Sequence, residues 1–242
     1  MAGINHIDIL AIGVHPDDIE LSCSGYLLKE ISNGRSVALL DLTHGELGTR
    51  GTGSLRVKEA LAAAKLMGAV SRDFLDIGDG FFEPTEKMFK QIITMIRRWR
   101  PRIVLANAVE DRHPDHARAA TLVNRACFLS GLRKIETRDK QKKQESFRPS
   151  AVYHYIQDKT LLPDIVVDIS PYMEYKMELI KSFKSQFYNP NSKEPMSPIS
   201  SKEFLDYQYA QAAIYGRYIN VKYGEGFTFS RPPGINSLLD LF

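Results

Sequence analysis

The chain has 242 residues, enough for one well-buried α/β domain. Hydrophobic residues make up 43% and charged residues 25%, which is typical of a globular protein and excludes a disordered chain. The 32 basic and 29 acidic residues leave a net charge of +3, so the composition requires neither a nucleic-acid nor a membrane partner. No apolar stretch approaches the roughly 20 residues that cross a bilayer.

The first half of the chain alternates short apolar runs with amphipathic segments. Four strands are predicted, at Ile7–Val14, Val37–Leu42, Phe74–Ile77 and Ile103–Ala106. Four helices are predicted, at Glu20–Asn33, from an N-cap at Ser54 to Met67, from Thr85 to the residues before Pro101, and near Asp115–Leu129. This alternation predicts an α/β fold, a Rossmann-like three-layer sandwich with a mostly parallel sheet.

The second half is less regular. Strands are predicted at Ala151–Ile156 and Ile165–Ile169, and helices at Tyr172–Phe187 and Ser201–Tyr218. We expect the charge run Arg138–Glu145 to be a solvated loop or a frayed helix end, and the tail Ser230–Phe242 to lie over the surface or a neighbouring subunit. Because no repeat or domain boundary is visible, we expect a single domain over residues 1–242.

Cysteine content and the N-terminal residues indicate a compartment. The two cysteines, Cys23 and Cys127, both fall within predicted helices, so we expect no disulfide framework. Residues Met1–Asp8 lack a basic region followed by an apolar core, and we therefore expect no signal peptide. Both features favour a cytoplasmic location.

Two His-Pro-Asp motifs carry the chemistry of the chain. His15-Pro-Asp-Asp18 directly follows the first predicted strand, and His113-Pro-Asp-His116 shortly follows the fourth. The carboxyl ends of parallel strands meet at one edge of a sheet, so the two motifs can lie close together. Histidine nitrogens and carboxylate oxygens are the ligands of catalytic zinc, which uses about three of them. The pair of motifs predicts a metal-dependent hydrolase.

The roles within each motif follow from spacing only in part. Adjacent side chains point different ways, so one of Asp17 and Asp18 can bind metal while the other takes a proton from water. His113 and His116 share one face of a helical turn, so one can bind metal while the other stabilises negative charge. Asp115 is near enough to orient a histidine. The alternative is that each proline merely starts a helix capped by its neighbours.

The glycine-rich loop Thr43–Gly53 should open on the same edge. Its four glycines suit either a loop that wraps closely around a substrate or a flexible surface loop. His44, within it, is a weaker candidate ligand. Arg56 follows the loop and can contact an anionic substrate group or form a surface ion pair with Glu59 one turn later. Arg112, beside the second motif, is a second candidate for an anion.

At these motifs the sequence resembles the LmbE-like, or PIG-L, family of zinc N-deacetylases. The resemblance rests on Ala11–Asp18 and His113–His116 and extends to Tyr223-Gly-Glu-Gly-Phe227. It implies that three residues bind Zn²⁺, or another divalent metal such as Fe²⁺, and that three others act in catalysis. The implied metal ligands are His15, Asp18 and His116. The implied catalytic residues are Asp17 as general base and His113 as oxyanion stabiliser, with Asp115 as the partner of His113.

Within the family, the segments Leu42–Thr52 and Glu110–His113 resemble most the deacetylases of bacillithiol biosynthesis. Those enzymes act on N-acetylglucosaminyl malate. The resemblance implies a small-molecule sugar conjugate as substrate, Arg56 and Arg112 as ligands of the malate carboxylates, and a homo-oligomer, a hexamer. A deacetylase of another N-acetylglucosamine conjugate, or an amidase acting on thiol conjugates, is the alternative within the same class.

Two alternatives come from other classes of protein. A nucleotide-binding module needs a glycine-rich phosphate loop after the first strand. The chain has His15-Pro-Asp-Asp there, and its carboxylates would repel a pyrophosphate. The second alternative is a metal-binding protein without catalysis, which would have no use for Asp17. Loss of hydrolysis in Asp17→Asn would therefore distinguish a hydrolase from such a protein.

Overall fold

The computed structural model describes residues 6–241, so part of Met1–Asp8 and the last residue of the tail lie outside the described residues. The strands within this range are β1 (Ile9–Gly13), β2 (Val37–Asp41), β3 (Ser71–Phe74), β4 (Ile103–Ala106), β5 (Arg138–Asp139), β6 (Lys142–Lys143), β7 (Ala151–Tyr155), β8 (Ile165–Asp168) and β9 (Gly224–Thr228). The α-helices are α1 (Asp18–Ser32), α2 (Gly53–Met67), α3 (Glu86–Trp99), α4 (Pro114–Ser130), α5 (Met173–Lys181) and α6 (Lys202–Tyr218).

The central sheet has seven strands in the order β3-β2-β1-β4-β7-β9-β8. Strands β3, β2, β1, β4 and β7 are parallel, and β9 is antiparallel to both of its neighbours. The predicted α/β class with a mostly parallel sheet is confirmed. The strand order reverses beside β1, because β2 lies on one side of it and β4 on the other. At such a switch point, open α/β sheets bind ligands at the carboxyl ends of their strands.

Helices cover both faces of the sheet. Alternate residues of β1 point to opposite sides: Leu10 and Ile12 pack in the cluster that includes α3 and α4, and Ile9 and Ala11 in the cluster that includes α1. Helices α2 and α5 pack beside α1, and α6 packs on β8 and β9. The β1 and β2 strands are buried along their whole length, as expected of parallel strands covered on both sides.

Several predicted boundaries are wrong. The third strand is Ser71–Phe74 instead of Phe74–Ile77. Helix α2 has its N-cap at Thr52 instead of Ser54, because the Thr52 hydroxyl accepts the Leu55 N–H. Helix α1 begins two residues earlier than predicted, at Asp18.

The second half departs further from the prediction. The strand β9, which was not predicted, pairs with both β7 and β8. The charge run is a short antiparallel hairpin, β5–β6, instead of a loop or a helix end. The helix predicted to reach Phe187 ends at Lys181, although Phe187 is still buried. In the part of the chain that the structure describes, none of the helices has the length and apolar character needed to span a membrane.

Candidate active site

Both His-Pro-Asp motifs lie where a parallel strand gives way to a helix. His15 follows β1, and Asp17 is the N-cap of α1, with an unusual backbone φ of 125°. His113 is the N-cap of α4, and Pro114 takes the first helical position, where its missing N–H costs nothing. Since β1 and β4 are neighbours in the sheet, the two helix starts face each other.

The two motifs form one cluster. Ring nitrogens of His15, His113 and His116 lie within 4.8 Å of one another. The Asp18 carboxylate lies between two of these rings: Oδ1 is 3.2 Å from His116 Nε2, and Oδ2 is 3.8 Å from His15 Nδ1. The structure thus brings together the three residues that the family resemblance implies as metal ligands, with His113 beside them.

Two of the histidines have a carboxylate on the nitrogen that faces away from Asp18. His15 Nε2 lies 3.0 Å from Asp79 Oδ1, and His116 Nδ1 lies 2.5 Å from Asp111 Oδ2. Metal-binding histidines commonly donate their outer N–H to a carboxylate, which fixes the tautomer and leaves the inner nitrogen free. Neither acid was predicted to belong to the site, although Asp79 follows a strand of the same sheet and Asp111 precedes the second motif.

The Asp18 carboxylate is itself held by side-chain amides that the sequence analysis also missed. Asn107 Nδ2 donates to Asp18 Oδ2 at 2.8 Å, and Gln157 Nε2 donates to Oδ1 at 3.1 Å. Asn107 Nδ2 also donates to Gln157 Oε1 at 3.0 Å. Asn107 follows β4 and Gln157 follows β7. Their position after strands of the sheet is the feature of the sequence that could have indicated a place in the site.

The electrostatics of the cluster suit a bound cation. Burial lowers the pKa of His15, but hydrogen bonds to Asp115 and Asp79 outweigh it and raise the pKa to about 10. Burial also lowers the pKa of His116, and the charge of Asp18 outweighs it, so the pKa rises to about 9. A divalent metal would displace such protons and be balanced by the same carboxylates. The nitrogen and oxygen donors fit zinc.

Asp17 is buried next to this cluster and contacts Arg56. Arg56 Nη2 donates to Asp17 Oδ2 at 3.0 Å and to the Pro16 carbonyl at 3.0 Å. Burial raises the pKa of Asp17, the charge of Arg56 opposes this, and the result is a pKa of about 6. Asp17 also borders the cavity described below. A buried carboxylate with a pKa in this range is suited to accept a proton near neutral pH.

Arg56 is 6% exposed, and both of its terminal nitrogens donate hydrogen bonds to the protein, while its Nε has no partner among the described residues. Besides Asp17 and Pro16, it donates from Nη1 to the Gly45 carbonyl at 3.0 Å. A Cβ at Gly45, whose φ is 63°, would lie 2.1 Å from Arg56 Nη1, so this glycine makes room for the arginine. The surface ion pair with Glu59, one of the two alternatives for Arg56, is not formed, because Glu59 instead accepts hydrogen bonds from Ser185.

His113 presents one nitrogen to the cavity region. Its Nδ1 accepts the Asp115 N–H at 3.3 Å, so the proton of the neutral ring is on Nε2, which can donate to an oxyanion. Burial and the charges of His15 and His116 lower the pKa of His113 and favour this neutral form. The expected pairing of the Asp115 carboxylate with His113 needs correction. That carboxylate accepts the Gly80 N–H and lies 3.6 Å from His15 Nε2.

A cavity of about 340 Å³ opens beside the cluster. Arg112 borders it with a side chain that is 53% exposed and bonded to Asp158. Arg50 also borders it but is only 3% exposed, and its guanidinium contacts the Gln186 carbonyl and the Ser192 hydroxyl. Within residues 6–241, no carboxylate pairs with Arg50. His44 lies outside the metal-ligand groups found among these residues.

Comparison with known proteins places the chain in a family. Residues 10–127 match the PIG-L family model, described as GlcNAc-PI de-N-acetylase. The diacetylchitobiose deacetylase of Thermococcus kodakarensis is 31% identical over 239 residues, which cover 94% of this chain and 84% of that protein. The chain belongs to the PIG-L family of de-N-acetylases. The predicted class of enzyme, a hydrolase of amide bonds, is confirmed.

Two solved structures have folds similar to that of this chain over nearly its whole length. The conserved protein TT1542 from Thermus thermophilus has a TM-score of 0.84 at 31% identity, covering 96% of this chain and 98% of that chain. The N,N'-diacetylchitobiose deacetylase from Pyrococcus horikoshii, complexed with an inhibitor, has a TM-score of 0.76 at 25% identity, with coverages of 97% and 88%.

Proposed function

We propose that this family member is a zinc-dependent deacetylase of N-acetylglucosamine conjugates. The observation that carries the proposal is the pairing of a ligand cluster with a separate, buried carboxylate. His15, Asp18 and His116 lie together, and Asp17 stands beside them with its own arginine partner. A site that only bound metal would have no use for Asp17.

In this proposal His15, Asp18 and His116 would hold the metal. When bound, zinc supplies Lewis-acid polarisation and lowers the pKa of water. Asp17 accepts the proton of the attacking water and passes it to the departing amine. His113 donates its Nε2 hydrogen to the oxyanion that develops on the amide oxygen. Arg56 holds Asp17 in place through Oδ2.

The finer part of the proposal is the aglycone. A substrate such as N-acetylglucosaminyl malate carries carboxylates, and two arginines of the cavity can bind them through parallel hydrogen bonds. Arg112 is accessible at the cavity, and Arg50 is a buried cation without a carboxylate partner among residues 6–241. Arg56 already pairs with the Asp17 carboxylate, whereas Arg50 pairs with no carboxylate among residues 6–241, so we assign the anion contacts to Arg112 and Arg50 instead of to Arg56 and Arg112.

Diacetylchitobiose is the second candidate, because the 31% identical relative from Thermococcus kodakarensis is a diacetylchitobiose deacetylase. Acetate release from N-acetylglucosaminyl malate, diacetylchitobiose and free N-acetylglucosamine separates the candidates. We expect Arg112→Ala and Arg50→Gln each to lower kcat/KM for the malate conjugate about 10- to 100-fold, the usual range for charged hydrogen bonds. Neither variant should change kcat/KM much for the neutral sugars. Arg133→Ala, on the exposed surface, is the control and should leave kcat/KM unchanged for all three substrates. Faster turnover of diacetylchitobiose, or equal losses on all substrates, would discard the malate assignment.

The oligomer and the compartment are also proposals. The family resemblance supports a homo-oligomer, with a hexamer as the specific expectation, which sedimentation velocity can test. Both cysteines are buried and unpaired, which supports a reducing cytoplasm.

A further inference from the structure

Four glutamine side chains border the cavity, and one of them differs from the rest. Gln157, Gln186 and Gln211 each donate to a protein acceptor: Asp18, the Arg50 carbonyl and the Gln157 carbonyl, respectively. Gln208 is as buried as these, with 5% of its surface exposed. Its amide makes no hydrogen bond to the described residues 6–241, and it is not one of the fully buried groups without a partner, so it stays accessible from the cavity.

A serine on the facing helix is in the same situation. Ser22 borders the cavity from α1 and is 6% exposed, and its hydroxyl has no partner among the described residues. Ser24, two positions later, shows the usual arrangement, because its hydroxyl donates to the Glu20 carbonyl at 2.6 Å. The helix therefore satisfies the serine that faces the protein and leaves free the one that borders the cavity.

Both groups border the same cavity as His15, Asp18 and His116. Ser22 is one helical turn after Asp18, about 6 Å along the same face of α1. Gln208 is one turn before Gln211 on α6, and Gln211 Nε2 donates at 2.6 Å to the carbonyl of Gln157, the residue that holds Asp18. A ligand that filled this cavity with its amide at the cluster would therefore have Ser22 and Gln208 along the walls around it.

A buried hydroxyl without a partner, such as that of Ser22, costs about 1–3 kcal/mol, so a hydrogen bond from a ligand to this hydroxyl would be favourable. The Ser22 hydroxyl and the Gln208 amide can both donate and accept a hydrogen bond, as a sugar hydroxyl does, and neither carries a charge. Phe204, one turn from Gln208, borders the same cavity and offers an apolar surface to a ring.

From this we infer that Ser22 and Gln208 form a subsite that binds the hydroxyl groups of the sugar ring attached to the acetamide. The inference deepens the proposed function and rests on it for the identity of the ring. It assigns selectivity for a hydroxylated ring to α1 and α6, separately from any contact with the aglycone.

Two acetamides test the subsite in the zinc-loaded enzyme. Free N-acetylglucosamine has a hydroxylated ring, and N-cyclohexylacetamide has a ring without hydroxyls. We expect Ser22→Ala and Gln208→Leu each to lower kcat/KM for N-acetylglucosamine about 10- to 100-fold, the value of a hydrogen bond to an otherwise unpaired group. Neither variant should lower kcat/KM for N-cyclohexylacetamide. Ser24→Ala, on the same helix, is the matched control and should leave the ratio of the two substrates unchanged.

Binding gives a readout that does not depend on turnover. Calorimetric titration with glucosamine should show binding weakened about 10-fold or more in Ser22→Ala and Gln208→Leu relative to the wild type. Equal losses on both acetamides, unchanged binding in both variants, or absence of glucosamine binding by the wild type would overturn the subsite. Normal glucosamine binding and its loss in the variants, without acetate release from any N-acetylglucosamine compound, would instead reject the proposed function and leave the subsite supported.

Discussion

Asp17 combines three unusual properties at one position. It is buried, it has a backbone φ of 125°, and its carboxylate contacts the Arg56 guanidinium. A residue other than glycine in this region of φ costs about 1–3 kcal/mol, and such strain persists only where the surroundings impose it. Arg56 belongs to those surroundings, because it donates both to the Asp17 carboxylate and to the preceding carbonyl of Pro16. The carboxylate is therefore fixed before substrate arrives.

The substitution Asp17→Asn should lower kcat about 10²- to 10⁴-fold, the contribution of a positioned general base. Asparagine tolerates positive φ, so the turn should survive. The measurement is acetate release together with zinc content by elemental analysis, and zinc should stay bound. Near-normal turnover would mean that another group takes the proton.

The substitution Arg56→Met distinguishes two roles for Arg56, which are to position Asp17 and to bind the aglycone. Because Arg56 acts through Asp17, we expect kcat to fall about 10- to 100-fold for charged and neutral substrates alike, with little change in KM. The comparison variant is Arg133→Met, an exposed arginine outside the cavity lining, which should have little effect. A loss confined to anionic substrates and expressed in KM would show that Arg56 binds the aglycone.

The sequence identified the residues that sit in recognisable motifs and missed those that do not. His15, Asp18 and His116 belong to short patterns with a chemical reason for their spacing. Asn107 and Gln157 are single amides, each separated from Asp18 by a long stretch of chain. Only the order of the strands brings these amides to the metal cluster, and one sequence does not show which amide reaches which carboxylate.

At the scale of the secondary-structure elements, a buried ion triad ties three of them together. Arg72 on β3 donates to Asp41 on β2 at 2.6 Å and to Glu20 on α1 at 2.5 Å, and all three side chains are fully buried. The triad explains why the third strand was predicted at the wrong residues. Ser-Arg-Asp-Phe lacks the apolar pattern of a covered strand, because the Arg72 charge is neutralised by residues distant in sequence.

Replacing Arg72 with methionine should destabilise the protein by about 3–5 kcal/mol, since two buried carboxylates would lose their counter-charge. Urea unfolding followed by circular dichroism measures the change. Arg98→Met is a suitable control, because Arg98 is 30% exposed and its pair with Asp139 should contribute no more than about 1 kcal/mol. A similar small cost for Arg72→Met would show that the triad is not needed for stability.

At the scale of the whole molecule, the first half was predictable because it is built from local units. Each predicted strand in that half is followed by its own helix, and the parallel order follows from the alternation. The second half depends on pairing at a distance. Strand β9 contains two glycines and the buried Glu225, which is neutralised by Lys176 on α5 at 2.7 Å. Its two glycines and its glutamate disfavour a strand, and its insertion between β7 and β8 follows from no local rule.

Metal should stabilise the whole fold, because it joins helix starts from two different βα units. We expect about one divalent metal per chain, lowered in His15→Ala and His116→Ala. A chelator should lower the melting temperature, since a ligand that binds only the native state stabilises it. His44→Ala serves as the histidine control and should retain the metal. Full metal content in both ligand variants would refute the assignment.

The insertion of β9 also sets the order in which a newly made chain can fold on the ribosome. Within residues 6–241, β9 is the only strand that pairs with β8, and it also covers the edge of β7. The sheet from β3 to β7 can assemble while later residues are still being translated. During that interval β8 has no partner and β7 offers an open edge to other chains. Synthesis of the last strand closes this period of exposure to proteases and aggregation, so a stop codon before Gly224 would leave the edge permanently open.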